Sequence, residues 1–136
     1  MMGLIGKIIE PPKANIREHE RRTAQALARH GCTVEFIVKT EISHTKSADV
    51  FINGIKWEIK SPQSSKLRQI EFNIKVAYGQ SPYIIIDSQR IKSTPDEKIL
   101  TFLRHQINRQ PKAIRGLLFI NKRREIIDVK ALLDVK

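Results

Sequence analysis

The sequence predicts a mixed α/β domain in which one β-sheet is flanked by helices. Three observations carry that expectation. Amphipathic helical stripes alternate with short β-rich runs, an Asn-Gly pair joins two of those runs, and the run YIIID over 83–87 is apolar without interruption, as in a strand covered on both faces. A chain of 136 residues is long enough to bury a core as one domain.

The apolar stretch 1–9 is too short for a membrane span and has neither a charged leader nor a small-residue cleavage site behind it. Pro11 and Pro12 separate it from the periodic sequence, so residues 1–15 read as an arm or linker and 16–136 as a single domain. A first helix is expected over 16–30, with Asn15 as its cap, Glu18 in the capping-box position and Gly31 as its left-handed stop. Residues 33–39 (TVEFIVK) read as a strand and 43–47 as a polar connection. Two strands, 48–52 and 55–60, then flank the two-residue turn Asn53-Gly54.

After Pro62 the spacing of Leu67, Ile70, Ile74, Ala77 and Tyr78 predicts a helix over 64–78, with Phe72 and Val76 on its other face. The strand at 83–87 is followed by Thr94-Pro95-Asp96-Glu97, which opens a third helix with the buried stripe Ile99, Leu103 and Ile107. Strands at 116–120 and 125–129, joined by 121–124, complete the order αβββαβαββ.

With 25 Lys and Arg against 14 Asp and Glu the formal net charge is +11, which calls for a polyanionic partner. The lone Cys32 excludes an internal disulfide and a cysteine zinc site, and fits a reducing compartment. From Lys98 to Arg124 eight basic residues and no acid occur, with Lys122, Arg123 and Arg124 together in one turn. These three, with Lys46 and Lys66, are the expected phosphate contacts. The few aromatics do not support stacking on single strands. Of the four histidines only His44, five residues before Asp49, is a candidate for substrate contact.

A two-residue turn at Asn53-Gly54 places Asp49 opposite Glu58, on the face shared with Lys60, while Val50, Ile52, Ile55, Trp57 and Ile59 go to the other. Opposed carboxylates, with Cβ atoms roughly 5 Å apart, repel unless compensated. A divalent cation is one compensation, and oxygen ligands at this spacing suit Mg²⁺ or Mn²⁺. Lys60 would then stand where a phosphate or an attacking water lies, which makes a site for phosphodiester hydrolysis. A solvated hairpin neutralised by Lys60 is the alternative. Glu20 lies on the buried stripe of the first helix, about 20° from Leu27 on a helical wheel, as a further metal ligand or orienter, or as one half of a structural salt bridge.

The segment Ser47-Ala48-Asp49-Val50-Phe51-Ile52-Asn53-Gly54-Ile55-Lys56-Trp57-Glu58-Ile59-Lys60-Ser61-Pro62, preceded by a helix bearing Glu20-Arg21-Arg22-Thr23-Ala24, resembles the PD-(D/E)xK nuclease superfamily. It resembles in particular the C-terminal tRNA-nuclease toxin domains of contact-dependent growth inhibition (CdiA-type) proteins and other polymorphic toxins. The resemblance covers about 16–129 and implies a restriction-endonuclease-like αβββαβ core, here extended by a helix and two C-terminal strands. By it, Asp49 and Glu58 hold the metal, Lys60 is the catalytic lysine and Glu20 the helix acid, with Ala48 where the motif has Pro. It also implies an acidic immunity protein as partner and action in the cytoplasm of a target cell, without membrane insertion. tRNA is the favoured substrate. A DNA endonuclease on the same core and a noncatalytic nucleic-acid-binding module are the alternatives.

Overall fold

The computed structural model describes residues 5–38, 49–63, 66–79, 81–109 and 112–134. One seven-stranded mixed sheet runs through the domain in sequence order, β1-β2-β3-β4-β5-β6-β7. The strands are β1 (Ile8–Ile9), β2 (Val34–Phe36), β3 (Asp49–Ile52), β4 (Ile55–Lys60), β5 (Tyr83–Asp87), β6 (Gly116–Ile120) and β7 (Ile126–Asp128). Helix α1 (Glu18–Arg29) joins β1 to β2, α2 (Leu67–Tyr78) joins β4 to β5, α3 (Asp96–Arg109) joins β5 to β6, and α4 (Val129–Asp134) follows β7.

The β3–β4 hairpin has the register that its turn dictates: Asp49 pairs with Glu58, Val50 with Trp57 and Ile52 with Ile55. Asn53 and Gly54 both take positive φ, 52° and 82°, as a primed turn needs to match the twist of its strands. Beyond it β4, β5 and β6 run parallel, so each link between them is a helical crossover.

Alternation along the strands divides the core in two. Val50, Ile52, Ile59, Ile85 and Ile120 pack with Ala24 and Leu27 of α1. Ile84, Ile86, Leu117 and Phe119 face the other way and meet Ile70 and Ile74 of α2 and Ile99, Leu103 and Ile107 of α3. This explains the unbroken apolar run of β5, since both its faces are buried. Trp57 and Tyr83 meet in a tilted contact with ring centroids 5.2 Å apart beside Gly116, where a Cβ would come within 2.8 Å of both rings.

Several local expectations are revised. Ile8–Ile9, read as part of an arm, add a parallel edge strand to β2. The approach is close: the Gly6 N–H donates to Ala28 O at 2.7 Å, and a Cβ at Gly6 would collide with the Cys32 carbonyl. Helix α1 starts at Glu18, not 16, with Arg17 as its cap. The capping-box acid is therefore Glu20, whose Oε1 accepts the Arg17 N–H at 2.8 Å, while Glu18 pairs with Arg22. Ile55, placed in the core by alternation, is exposed at the hairpin tip. Val129 does not extend β7 but opens α4, an unforeseen helix that closes over the α2–α3 side of the core.

One buried acid ties the layers together. Asp87, fully buried at the end of β5, receives both terminal nitrogens of Arg124 at 2.7 and 2.9 Å, the Thr23 hydroxyl at 2.6 Å and the Gln89 side-chain amide at 2.9 Å. Arg124 also donates to the Arg22 carbonyl, so α1, β5 and the β6–β7 turn share one anchor. Removing one partner of such a pair leaves an uncompensated buried charge. Arg124→Ala is expected to lower unfolding stability by about 3 kcal/mol, read by urea denaturation, while Arg123→Ala on the same exposed turn leaves it within about 0.5 kcal/mol. A loss below about 1 kcal/mol for Arg124→Ala would refute the anchor role.

Candidate active site

The opposed carboxylates lie where the turn register puts them. Glu58 is 1% exposed and neighbours Ile84 of β5, so the acid pair lies on the sheet face that α2 covers. Each acid has a lysine: Lys60 Nζ is 3.5 Å from Glu58 Oε1, and Lys56 Nζ is 3.5 Å from Asp49 Oδ2. Lys56 is the diagonal cross-strand neighbour of Asp49, a position that the hairpin register makes legible in the sequence. Two lysines against two acids reduce the repulsion but leave Asp49 Oδ1 buried with no hydrogen-bond partner among the described residues. A buried carboxylate oxygen in that state costs free energy that a cation would recover. Asp49 and Glu58 thus fit a hard divalent ion.

At the carboxyl end of β4 the structure opens a cleft of about 300 Å³, walled by Arg17, His19, Glu20, Lys60, Asn73 and Arg90. Lys60 belongs to both features: it pairs with Glu58 and lines the cleft. The Arg90 guanidinium donates twice to the Ser61 carbonyl and so fixes the strand end. Glu20 is buried here, but α1 packs on the opposite sheet face from Asp49 and Glu58. The structure therefore brings Glu20 to Lys60 and not into one group with the acid pair. Among the described residues no three His, Cys, Asp or Glu side chains form a metal-binding group.

The cleft is cationic, and its titrating group responds. Burial holds the His19 imidazole below its ordinary value, Arg90 and Arg17 add to this, and Glu20 opposes it. Burial and the neighbouring Arg17 charge also depress Arg90. Neither arginine was foreseen from the sequence. Arg90 follows the end of a parallel strand, where open α/β sheets collect ligands, and that position was the available signal.

The expected phosphate contacts divide. Arg123 is exposed, and Lys66 is exposed as the residue preceding α2. Lys122 instead is tied to the start of α3, donating to Thr94 O at 2.9 Å and pairing with Asp96, and Arg124 is committed to Asp87. Arg124 belongs to the scaffold, because its acceptor is fully buried, whereas Lys122 remains exposed beside Asp96. His30 and His105 are exposed on the surface, and Lys46 and His44 lie outside the described residues.

Residues 46–126 match the family model of the contact-dependent growth inhibition CdiA C-terminal domain. The chain belongs to that family. Its fold is shared with a chain of the CdiA-CT/CdiI toxin and immunity complex from Burkholderia pseudomallei, with a TM-score of 0.66 at 22% identity over 90% of this chain and 98% of the other. No curated protein matches the sequence. The matched segment of the CdiA family model contains Asp49, Glu58, Lys60 and Arg90, while Arg17, His19 and Glu20 precede it.

His19 is expected to titrate below 6.5 when its ring protons are followed by NMR, and to move back up in Arg90→Gln. A base with a depressed folded value leaves the unfolded chain binding more protons, so His19's contribution is complete above 6.5 and is lost as pH falls below it. A midpoint at or above 6.5 would contradict the burial of His19 beside the two arginines.

Proposed function

We propose that this domain is a toxin that hydrolyses phosphodiester bonds as a metal-dependent endonuclease, with tRNA as its substrate. The observation that carries the reading is the pairing of Asp49 with the buried Glu58, with one Asp49 oxygen lacking a hydrogen bond among the described residues and Lys60 leading from the pair into a cationic cleft. Membership of the CdiA C-terminal family supports the toxin role, and the resemblance described above supports tRNA.

Asp49 and Glu58 would hold a Mg²⁺ or Mn²⁺ ion, which would polarise the phosphoryl group and lower the pKa of a bound water. Lys60 brings a positive charge toward the phosphoryl oxygens, where charge grows as water attacks phosphorus and the P–O bond to the leaving oxygen breaks. Lys56, 3.5 Å from Asp49 Oδ2, orients that carboxylate. Glu20 keeps the start of α1 fixed beside Lys60 through its bond to the Arg17 N–H and takes the role of an orienting acid.

A net charge of +11 on a domain whose structural relative is a toxin and immunity complex supports an acidic immunity protein as partner. Action on tRNA places the activity in the cytoplasm of a target cell. No helix among the described residues is long and apolar enough to cross a membrane.

The test offers total tRNA and plasmid DNA to the protein with Mg²⁺ and with chelator. Chelator-sensitive loss of tRNA is expected, and Glu58→Ala and Lys60→Ala should each reduce it by at least about 10²-fold when assayed below the thermal transition of each variant. Full activity in both variants would refute the site. Plasmid cutting with intact tRNA would make the domain a DNA endonuclease, and binding without cleavage under any divalent ion would make it a noncatalytic module.

A further inference from the structure

The cleft beside Lys60 holds more positive charge than its own acids use. Among the described residues Glu20 is the one carboxylate on its wall, and one of its oxygens is occupied by the Arg17 N–H. Lys60 is shared with Glu58. Among the described residues, neither Arg17 nor Arg90 forms an ion pair, and the two share one concave space in which the Arg17 charge depresses Arg90. Two guanidinium groups that face one shared carboxylate, Glu20, hold an excess of positive charge suited to an anion, and their planar forks suit phosphate oxygens. Arg90 is already braced, because two of its nitrogens are fixed on the Ser61 carbonyl. The Asn73 side chain, on the α2 wall, adds an amide.

We infer that Arg17 and Arg90 form a phosphate subsite that holds an internal phosphodiester of the RNA strand next to the one cleaved at Asp49, Glu58 and Lys60. This rests on the nuclease reading above for its position relative to the cut, but not for its occupancy. Lys60 stands at the border between the two places, so a strand lying along the end of β4 meets the acid pair and the arginine pair in succession. The arginines act in binding and register, and the acid pair with Lys60 acts in bond breaking.

The test measures binding without cleavage: fluorescence anisotropy of a labelled RNA oligonucleotide with the full chain, in chelator, over a range of salt. Arg17→Gln and Arg90→Gln are each expected to weaken binding about tenfold and to lower the slope of log K against log salt by about 0.7 to 1, one phosphate contact each. Lys98→Gln, which removes one charge from the exposed start of α3, should change affinity less than about twofold. Arg90→Gln also removes the bonds to Ser61, so Arg17→Gln, with an unchanged thermal transition, is the deciding variant.

Losses no larger than that of Lys98→Gln in both arginine variants would overturn the subsite. Oligonucleotides with a 5′-phosphate and with a 5′-hydroxyl should show the same losses, and losses confined to the phosphorylated one would overturn the internal assignment in favour of an end phosphate. The two readings fail separately. Cleft-dependent binding without any cleavage leaves the subsite and removes the nuclease, whereas cleavage with unaltered binding in both variants does the reverse.

Discussion

The structure depends on the burial of one charge. Asp87 sits at the end of the central parallel strand with no exposure to solvent, and it is tolerable there because Arg124, Thr23 and Gln89 together supply donors to both its oxygens. Those donors come from α1, from the loop after β5 and from the turn between β6 and β7. A carboxylate that must be satisfied from three directions fixes those elements relative to one another more tightly than apolar contact alone, since packing is non-directional and hydrogen bonds are not. The N-terminal end of α1 is thereby held against the end of the sheet, and with it the wall that carries Arg17, His19 and Glu20.

The second constraint is the division of the sheet into two faces. The hairpin turn sets Asp49 against Glu58 and sends both to the side covered by α2, while α1 packs on the other side. Residues on opposite faces can meet only where a strand ends. That is where Glu20 reaches Lys60, and it is why the cleft opens at the carboxyl end of β4, as is general for parallel strands. The acids lie along the strand and the arginines around its end, which separates groups suited to bond breaking from groups suited to holding a phosphate.

Positive charge in this chain therefore has two physical uses. Arg124 is consumed internally at a buried carboxylate, and Lys122 pairs at the surface with the start of α3. Arg17 and Arg90 face a concave space with a deficit of negative charge.

The local features were legible in the sequence because their causes are local. Asn53-Gly54 sets the hairpin register through positive φ at two adjacent residues, and this alone places Asp49 opposite Glu58 with Lys60 on the same face. The stripes of α2 and α3 and the two-sided burial of β5 follow from side-chain periodicity. What the sequence could not show depends on groups distant along the chain. Ile8–Ile9 become a strand only because β2 offers an edge, and Glu20 takes the capping role because α1 begins where packing on the sheet lets it begin. Arg124, in a basic run suited to phosphate, is drawn inward by an acid 37 residues earlier. Arg17 and Arg90 share a cleft though 73 positions separate them in the chain. Periodicity and turn chemistry fix which side of an element a residue occupies, whereas the partner it meets there is decided by the assembly of the layers.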